Sequence, residues 1–291
     1  MEKVVITGGS GFLGSNLIKY LISKNKSVSV VLRRESSLIN LEDVMNEINI
    51  FIYDNKIEEL VQFFKDVRPD KVFHLASNFI AEHETSQVDA LVQSNILFGL
   101  HLLEAMKVAN VKKMVNTGTS WQHYNNEPYN PVCLYAATKE AYEKLIEYYV
   151  VAEGFSVVTL KLYDTYGEND KRPKLINLLH KFADEKIELN MSPGEQLLNL
   201  VHVSDVCEAF LVSSYLLDNI QGHKIYSVPS KESHKLKDLV SLFERVTGKK
   251  VVVNWGGKHY RNREVMTLWD KGKTLPNWQP KITLEEGLKL Y

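Results

Sequence analysis

Residues Val4 to Gly14 read V-V-I-T-G-G-S-G-F-L-G, and no other stretch of the chain narrows its fold as much. A short run rich in β-branched residues ends in glycines spaced G-x-x-G-x-x-G (Gly8, Gly11, Gly14). N-L-I-K-Y-L-I follows, with apolar residues at helical spacing. This is strand, tight turn, helix. Such a turn aims backbone N–H groups and the positive end of a helix at a diphosphate. Gly8 permits the turn, Gly11 lets backbone approach the phosphates, and Gly14 lets helix and strand pack closely, with Phe12 and Leu13 in the same cradle. The spacing therefore predicts a dinucleotide site; the bland alternative is a turn that merely needs glycines.

Strand-like and helix-like runs alternate behind it. Strands are predicted at 3–7, 27–32, 48–53, 71–75, 113–117 and 156–161, with helices at about 11–24, 57–67, 88–109 and 134–153. This order predicts an α/β fold, a Rossmann-type doubly wound parallel sheet with right-handed crossovers. Residues 1–165 would form the dinucleotide domain. Past Tyr166 the texture changes: a polar loop at 167–173, a helix at 175–182, a short strand at 197–202, and a helix at 204–217 capped by Ser204 or Asp205. A strand at 224–228, a helix at 236–247 ending at Gly248 and a closing helix at 284–290 complete it. Residues 166–291 thus read as a smaller substrate lobe, with segments around 197–228 returning to the main sheet.

Composition removes other classes. The 291 residues carry a net charge of −1, so no basic field points to nucleic acid and no polybasic segment to a membrane. Cys133 and Cys207 are far apart and lack metal spacing, which excludes a disulfide scaffold and leaves no metal site. A cytoplasmic location is expected, with no signal peptide before the first strand and no membrane span.

The second strand ends in Arg33-Arg34, where NAD-binding sheets usually place an acid on the ribose 2′-hydroxyl. A guanidinium pairs well with a 2′-phosphate, so NADPH is favoured over NADH. The alternative is a solvated strand end with another acid on the ribose. Asp54 reads equally as an adenine contact or as an exposed loop residue.

A second anchor is Tyr135-Ala136-Ala137-Thr138-Lys139. Tyrosine and lysine at i and i+4 share a helix face. The ammonium is expected to lower the phenol pKa and hold the nicotinamide ribose, leaving the tyrosine as acid toward a ketone or base toward an alcohol. The strand end Val115–Ser120 supplies hydroxyls to polarise the same oxygen.

Together these motifs resemble the extended short-chain dehydrogenase/reductase family of nucleotide-sugar epimerases, dehydratases and reductases. T-G-G-S-G-F-L-G matches, as do V-F-H-L-A at 72–76, N-x-x-G-x-x-x-L-L-E-A at 95–105, Leu160–Gly167 and Val201–Val206. The resemblance implies Leu75, Ala76 and Thr117 along the cofactor, Asn95 organising the sheet, and Thr119, Tyr135 and Lys139 in catalysis. Ser120 and Trp121 stand where the 4,6-dehydratases carry Asp-Glu, so dehydration is disfavoured. The 3,5-epimerase/reductases' cysteine is missing, and C4-epimerases usually show an acid where Arg33 stands. What remains is reduction of a nucleotide-linked 4-keto sugar. Thr117–Asn125 and Leu162–Leu179 are similar to a subgroup, the CDP-abequose and CDP-paratose synthases of lipopolysaccharide O-antigen assembly. Expected substrate residues are Asn78, Thr119, Ser120, Trp121, His123, Asp164, Lys174 and Arg263, with Phe79, Gln122, Tyr124 and Arg172 nearby. Asn199 replaces a basic or aromatic residue of many relatives. By analogy the helices at 88–109 and 134–153 would pair into a homodimer. The rivals are a C4-epimerase holding NAD tightly and a non-catalytic NADPH sensor.

Overall fold

The computed structural model describes residues 1–291. Seven strands form one sheet: β1 (Lys3–Thr7), β2 (Ser27–Arg33), β3 (Ile48–Tyr53), β4 (Lys71–His74), β5 (Lys113–Thr119), β6 (Ser156–Leu162) and a seventh, Gly222–Val228. Their order is β3-β2-β1-β4-β5-β6-seventh, and every neighbouring pair is parallel. The strands are apolar because helices cover both faces. The order reverses between β1 and β4, and such a switch point opens a crevice at the strands' C-terminal ends.

Helices α1 (Phe12–Ser23) and α7 (Val203–Leu216) cover one face, through Leu17, Ile18, Leu21, Val206 and Phe210. On the other face lie α2 (Ile57–Val67), α4 (Phe98–Val108) and α5 (Leu134–Glu153), through Leu60, Phe64, Leu102, Met106, Tyr142 and Ile146. A third core lies among α6 (Leu175–Glu185), α8 (Leu236–Thr247) and α9 (Leu284–Leu288).

Several local expectations are revised. The helix expected over 88–109 is α3 (Val88–Val92), a π-helical turn Gln93–Leu97, then α4. Neither Ser204 nor Asp205 caps α7; the His202 side chain does, accepting from the Ser204 N–H. The stretch 197–202 does not join the main sheet. Leu197–Leu198 pairs with His234–Lys235, and Leu200–His202 with Asp164–Tyr166, whereas α7 and the seventh strand do return to it. The division falls at Asn199, whose side chain is spent on the 230–233 loop, bonding Ser230, Glu232 and Ser233. No helix is long and apolar enough to cross a membrane.

Candidate active site

The glycine turn sits at the switch point. Gly8 has φ +74°, and a Cβ there would lie 2.6 Å from the Ala76 nitrogen. Thr7 binds the same loop, its carbonyl accepting from Leu75 N–H and its hydroxyl from Ala76 N–H. A Cβ on Gly14 would run into the Gly8 carbonyl and sit 2.8 Å from Gly9 Cα, so this glycine sets the helix–turn packing. Gly11 caps α1 in extended backbone, and its nearest obstacle is Gly8 O at 3.4 Å, which leaves the space before it open. A diphosphate fits such a cradle: the Gly11 N–H bonds Gly8 O, but the Phe12, Leu13 and Gly14 amides have no backbone partner, and Gly8 O is the one atom beyond chain neighbours within 4 Å of a Cβ at Gly11. Phe12 is covered by the Arg172 guanidinium at 4.6 Å, and Leu13 packs on the adjoining core.

At the end of β2, Arg33 lies near Glu35 at 3.3 Å and Arg34 pairs with Asp54 at 3.3 Å. All of these groups are exposed. Asp54 therefore meets a guanidinium rather than standing alone.

On the other side of the crevice, α5 begins just beyond β5 and brings Tyr135 and Lys139 inward, both buried. Thr119 closes β5 and caps a 3-10 turn, Ser120–Gln122: its hydroxyl accepts from Trp121 N–H at 3.2 Å, and Gln122 Oε1 accepts from Thr119 N–H at 3.0 Å. The Thr119 hydroxyl proton is thereby left available to donate. Thr117 instead donates to the His74 carbonyl, bracing β5 against β4.

Asn95 acts differently from the expectation that it organises the sheet. The π-turn turns it inward, where it receives the Asn78 N–H and the Ser77 hydroxyl and donates to Asn78 O and Thr138 Oγ1. It fastens the loop after β4 to α5; π-turns often mark such functional positions.

Burial governs the electrostatics. It pushes the Tyr135 phenol up to about 12, against a lowering contact from the Ser77 hydroxyl. It lowers Lys139 to about 8; Lys161 adds to this and Glu143 opposes it. The phenol is thus raised rather than lowered as expected, and Tyr135 is a protonated acid at neutral pH.

Below the crevice is a cavity of about 310 Å³ lined by Phe79, Trp121, Asp164, Lys174 and Arg261, among others. Phe79 stands edge-on to Tyr135 at 5.0 Å and contacts Trp121 at 5.6 Å. Lys174 lies over the Phe79 ring at 4.3 Å and Arg261 over Trp121 at 5.0 Å. A smaller space of about 40 Å³ adjoins it, lined by Ser120, Trp121, His123, Asp164 and Trp269. His123 stacks on Trp269 at 3.9 Å, bonds Glu127 O through Nδ1, and leaves its buried Nε2 unpartnered.

Other expected residues lie elsewhere. Asn78 is tied through its backbone to Asn95, and its neighbour Phe79 faces the cavity. Arg172 is spent on Asp170 and Thr165 O. Arg263 lies over Tyr124 and donates to Asn130; it lines neither cavity, whereas Arg261 lines both. In R-N-R, spacing gave no way to choose between the two. Sequence reasoning also missed Gln122, Glu143 and Lys161 as a buried group beneath Thr119. The repeat Tyr135–Lys139–Glu143 at four-residue spacing was the available signal.

The NAD-dependent epimerase/dehydratase family model matches residues 4–228. A CDP-abequose synthase of Yersinia pseudotuberculosis is 28% identical over 91% of this chain and 90% of its own length. A UDP-glucuronate 4-epimerase of Thermodesulfobacterium geofontis is 26% identical over 99% of this chain and 94% of its own. Among solved structures, the UDP-glucose 4-epimerase of Thermotoga maritima superposes with a TM-score of 0.83 at 23% identity, over 99% of this chain and 96% of its own. The glycine cradle at the switch point, the Tyr–Lys pair facing it and a family match spanning both lead to one conclusion: the chain belongs to the NAD-dependent epimerase/dehydratase family.

Proposed function

We propose that this protein is an NADPH-dependent reductase of a nucleotide-linked 4-keto-6-deoxy or 3,6-dideoxy sugar, with a CDP-linked sugar the first candidate. The observation that carries this reading is Trp121, which directly follows the Thr119–Ser120 strand end and packs on Phe79 against Tyr135, while the cavity's carboxylates, Asp164 and the Arg172-bound Asp170, come from the segment after β6. Elimination of water needs an acid and a base there, whereas ketone reduction needs, besides the cofactor's hydride, only a proton donor. The names of relatives such as the CDP-abequose synthase of Y. pseudotuberculosis support the substrate class.

Gly8, Gly11 and Gly14 would hold the cofactor diphosphate, Leu75, Ala76 and Thr117 would flank it, and Arg33 and Arg34 would take its 2′-phosphate. Bound there, NADPH supplies the reducing equivalent. Thr119 donates a hydrogen bond from its hydroxyl to the carbonyl oxygen and orients it. Tyr135, protonated at neutral pH, gives that oxygen its proton. Lys139 balances the phenolate left behind and binds the ribose. Lys174 and Arg261 face the substrate diphosphate, while Phe79 and Trp121 pack on the sugar. Residues 1–165 would thus carry the cofactor and the reacting groups, and the smaller lobe, 166–291, would hold the substrate diphosphate through Lys174 and Arg261. Exposed Val92, Leu97, Tyr148 and Val151 on neighbouring helices support a homodimer.

The test is NADPH oxidation with a panel of CDP-, dTDP- and GDP-linked 4-keto sugars. Absence of turnover with all of them, in protein that binds NADPH, refutes the reading. A C4-epimerase, the activity named for several relatives, would instead keep its nucleotide through purification and need no added reductant, which an absorbance spectrum of the pure protein detects.

A further inference from the structure

Beneath the catalytic strand lies an ion pair that the roles above leave unused. Lys161 on β6 reaches Glu143 on α5 with both carboxylate oxygens at 2.8 Å, and both residues are buried. Glu140 stands 3.7 Å from the same ammonium. Gln122 donates to Glu140 at 2.6 Å and to Glu143 at 3.1 Å, and its carbonyl receives the Thr119 N–H. A side chain at Gly118 would come within 2.8 Å of Lys161 Cδ and 2.9 Å of Glu143 Oε1, so the pair is seated directly under the strand. Buried pairs of this kind add little net stability, which makes a positional use the more economical reading.

We propose that Glu143, Lys161 and Gln122 are positioning residues for this site: through Gln122 they fasten the Thr119 backbone, and through Glu143, one helical turn from Lys139, they set the charge on the lysine. The proposal rests on the reductase reading only for its kinetic consequence. The charges acting on Lys139 are Glu143, one turn along α5, and Lys161 from β6, while His74 on β4, on which Lys139 itself acts, is kept neutral by burial. Glu143 holds the Lys139 proton on and Lys161 drives it off. Removing them one at a time therefore moves Lys139 in opposite directions, an outcome that a scaffold acting only through packing does not produce.

The experiment follows the Lys139 resonance by NMR in ¹³Cε-lysine-labelled ligand-free protein, assigned by its loss in Lys139→Met. Glu143→Gln lowers the titration midpoint and Lys161→Met raises it, each by about one pH unit. Glu143→Leu with Lys161→Met leaves no charge of the pair unmatched, folds if either single variant does not, and returns the midpoint close to wild type. Gln122→Met keeps the midpoint but lowers kcat for NADPH oxidation by about tenfold to a hundredfold, with KM unchanged. Shifts in the same direction, no shift, or a double variant displaced as far as a single one overturns the charge-setting role. Unchanged kcat in Gln122→Met overturns the anchoring role. Titration shifts as expected in protein that reduces no sugar would uphold the charge-setting role and refute the reductase reading instead.

Discussion

Replacing Gly8 and Gly11 separately by alanine should split what the glycine turn does for the fold from what it does for the cofactor. At Gly8 the backbone is left-handed, φ +74°, which costs an L-residue about 1–2 kcal/mol. Its new Cβ would also lie 2.6 Å from Ala76 N, 2.8 Å from Ala76 Cα and 2.8 Å from Leu75 C. These are backbone atoms at the end of β4, held by bonds to Thr7, and cannot rotate away. Moving them adds about 1–3 kcal/mol of overpacking, while the lower entropy of the unfolded chain returns about 0.4–1 kcal/mol. Gly8→Ala should therefore cost about 1–5 kcal/mol. At Gly11 the backbone is already in an ordinary region and the nearest atom is 3.4 Å away. Alanine is a poorer helix cap but stiffens the unfolded chain, so Gly11→Ala should leave stability within about 1 kcal/mol of wild type. Its methyl group would nonetheless occupy the space left for phosphate, and NADPH affinity should fall on the order of tenfold to a hundredfold, about 1.4–2.8 kcal/mol. Urea unfolding without ligand and fluorescence titration with NADPH measure the two quantities. The reasoning is refuted if Gly11→Ala unfolds early yet binds normally, or if Gly8→Ala matches wild type in both assays.

Tyr135→Phe should stay folded and bind NADPH, but lose about 10²–10⁴-fold in turnover, read from NADPH oxidation with the best substrate of the panel. Arg33→Ala with Arg34→Ala should weaken NADPH and leave NADH unaffected; calorimetry with both nucleotides gives the comparison, and equal losses would point to a general effect on the strand end. Asn95→Ala removes four hydrogen bonds, each worth about 1 kcal/mol net, and should destabilise by about 2–4 kcal/mol in urea unfolding. Burial pushes His223 down to about 4 in the folded chain, while an unfolded histidine titrates near about 6.5. Between those values the unfolded state holds the extra proton, so stability should fall with falling pH, by up to about 3 kcal/mol. His223→Gln should flatten that part of a stability–pH curve; an unchanged slope would mean that another group carries it.

Most of the main sheet could be read in advance because its signals are local. A β-branched run followed by glycines has one cheap conformation, and apolar strands between amphipathic helices bury themselves in one general way. Where the chain carries several short elements with competing partners, local pattern was too weak. The stretch 197–202 reads as one strand but divides at Asn199, because its two halves hydrogen-bond to different partners. The long helix at 88–109 hides a π-turn, since one extra residue per turn barely disturbs its apolar spacing, yet this turn is what aims Asn95 at the loop after β4.

By itself the sequence determined the glycine turn between β1 and α1, the placement of Tyr135 and Lys139 on one helix face, and the strand order's general type. Each follows from spacing along the backbone, and spacing is a property of the chain. Tertiary structure decided which arginine of R-N-R faces the cavity, why Arg172 is spent on Asp170, and that Glu143 meets Lys161 beneath Thr119. It also reversed the expected sign at Tyr135, whose phenol burial raises. Desolvation and charge pairing depend on every atom within a few ångströms, and those atoms come from strands and helices distant in sequence.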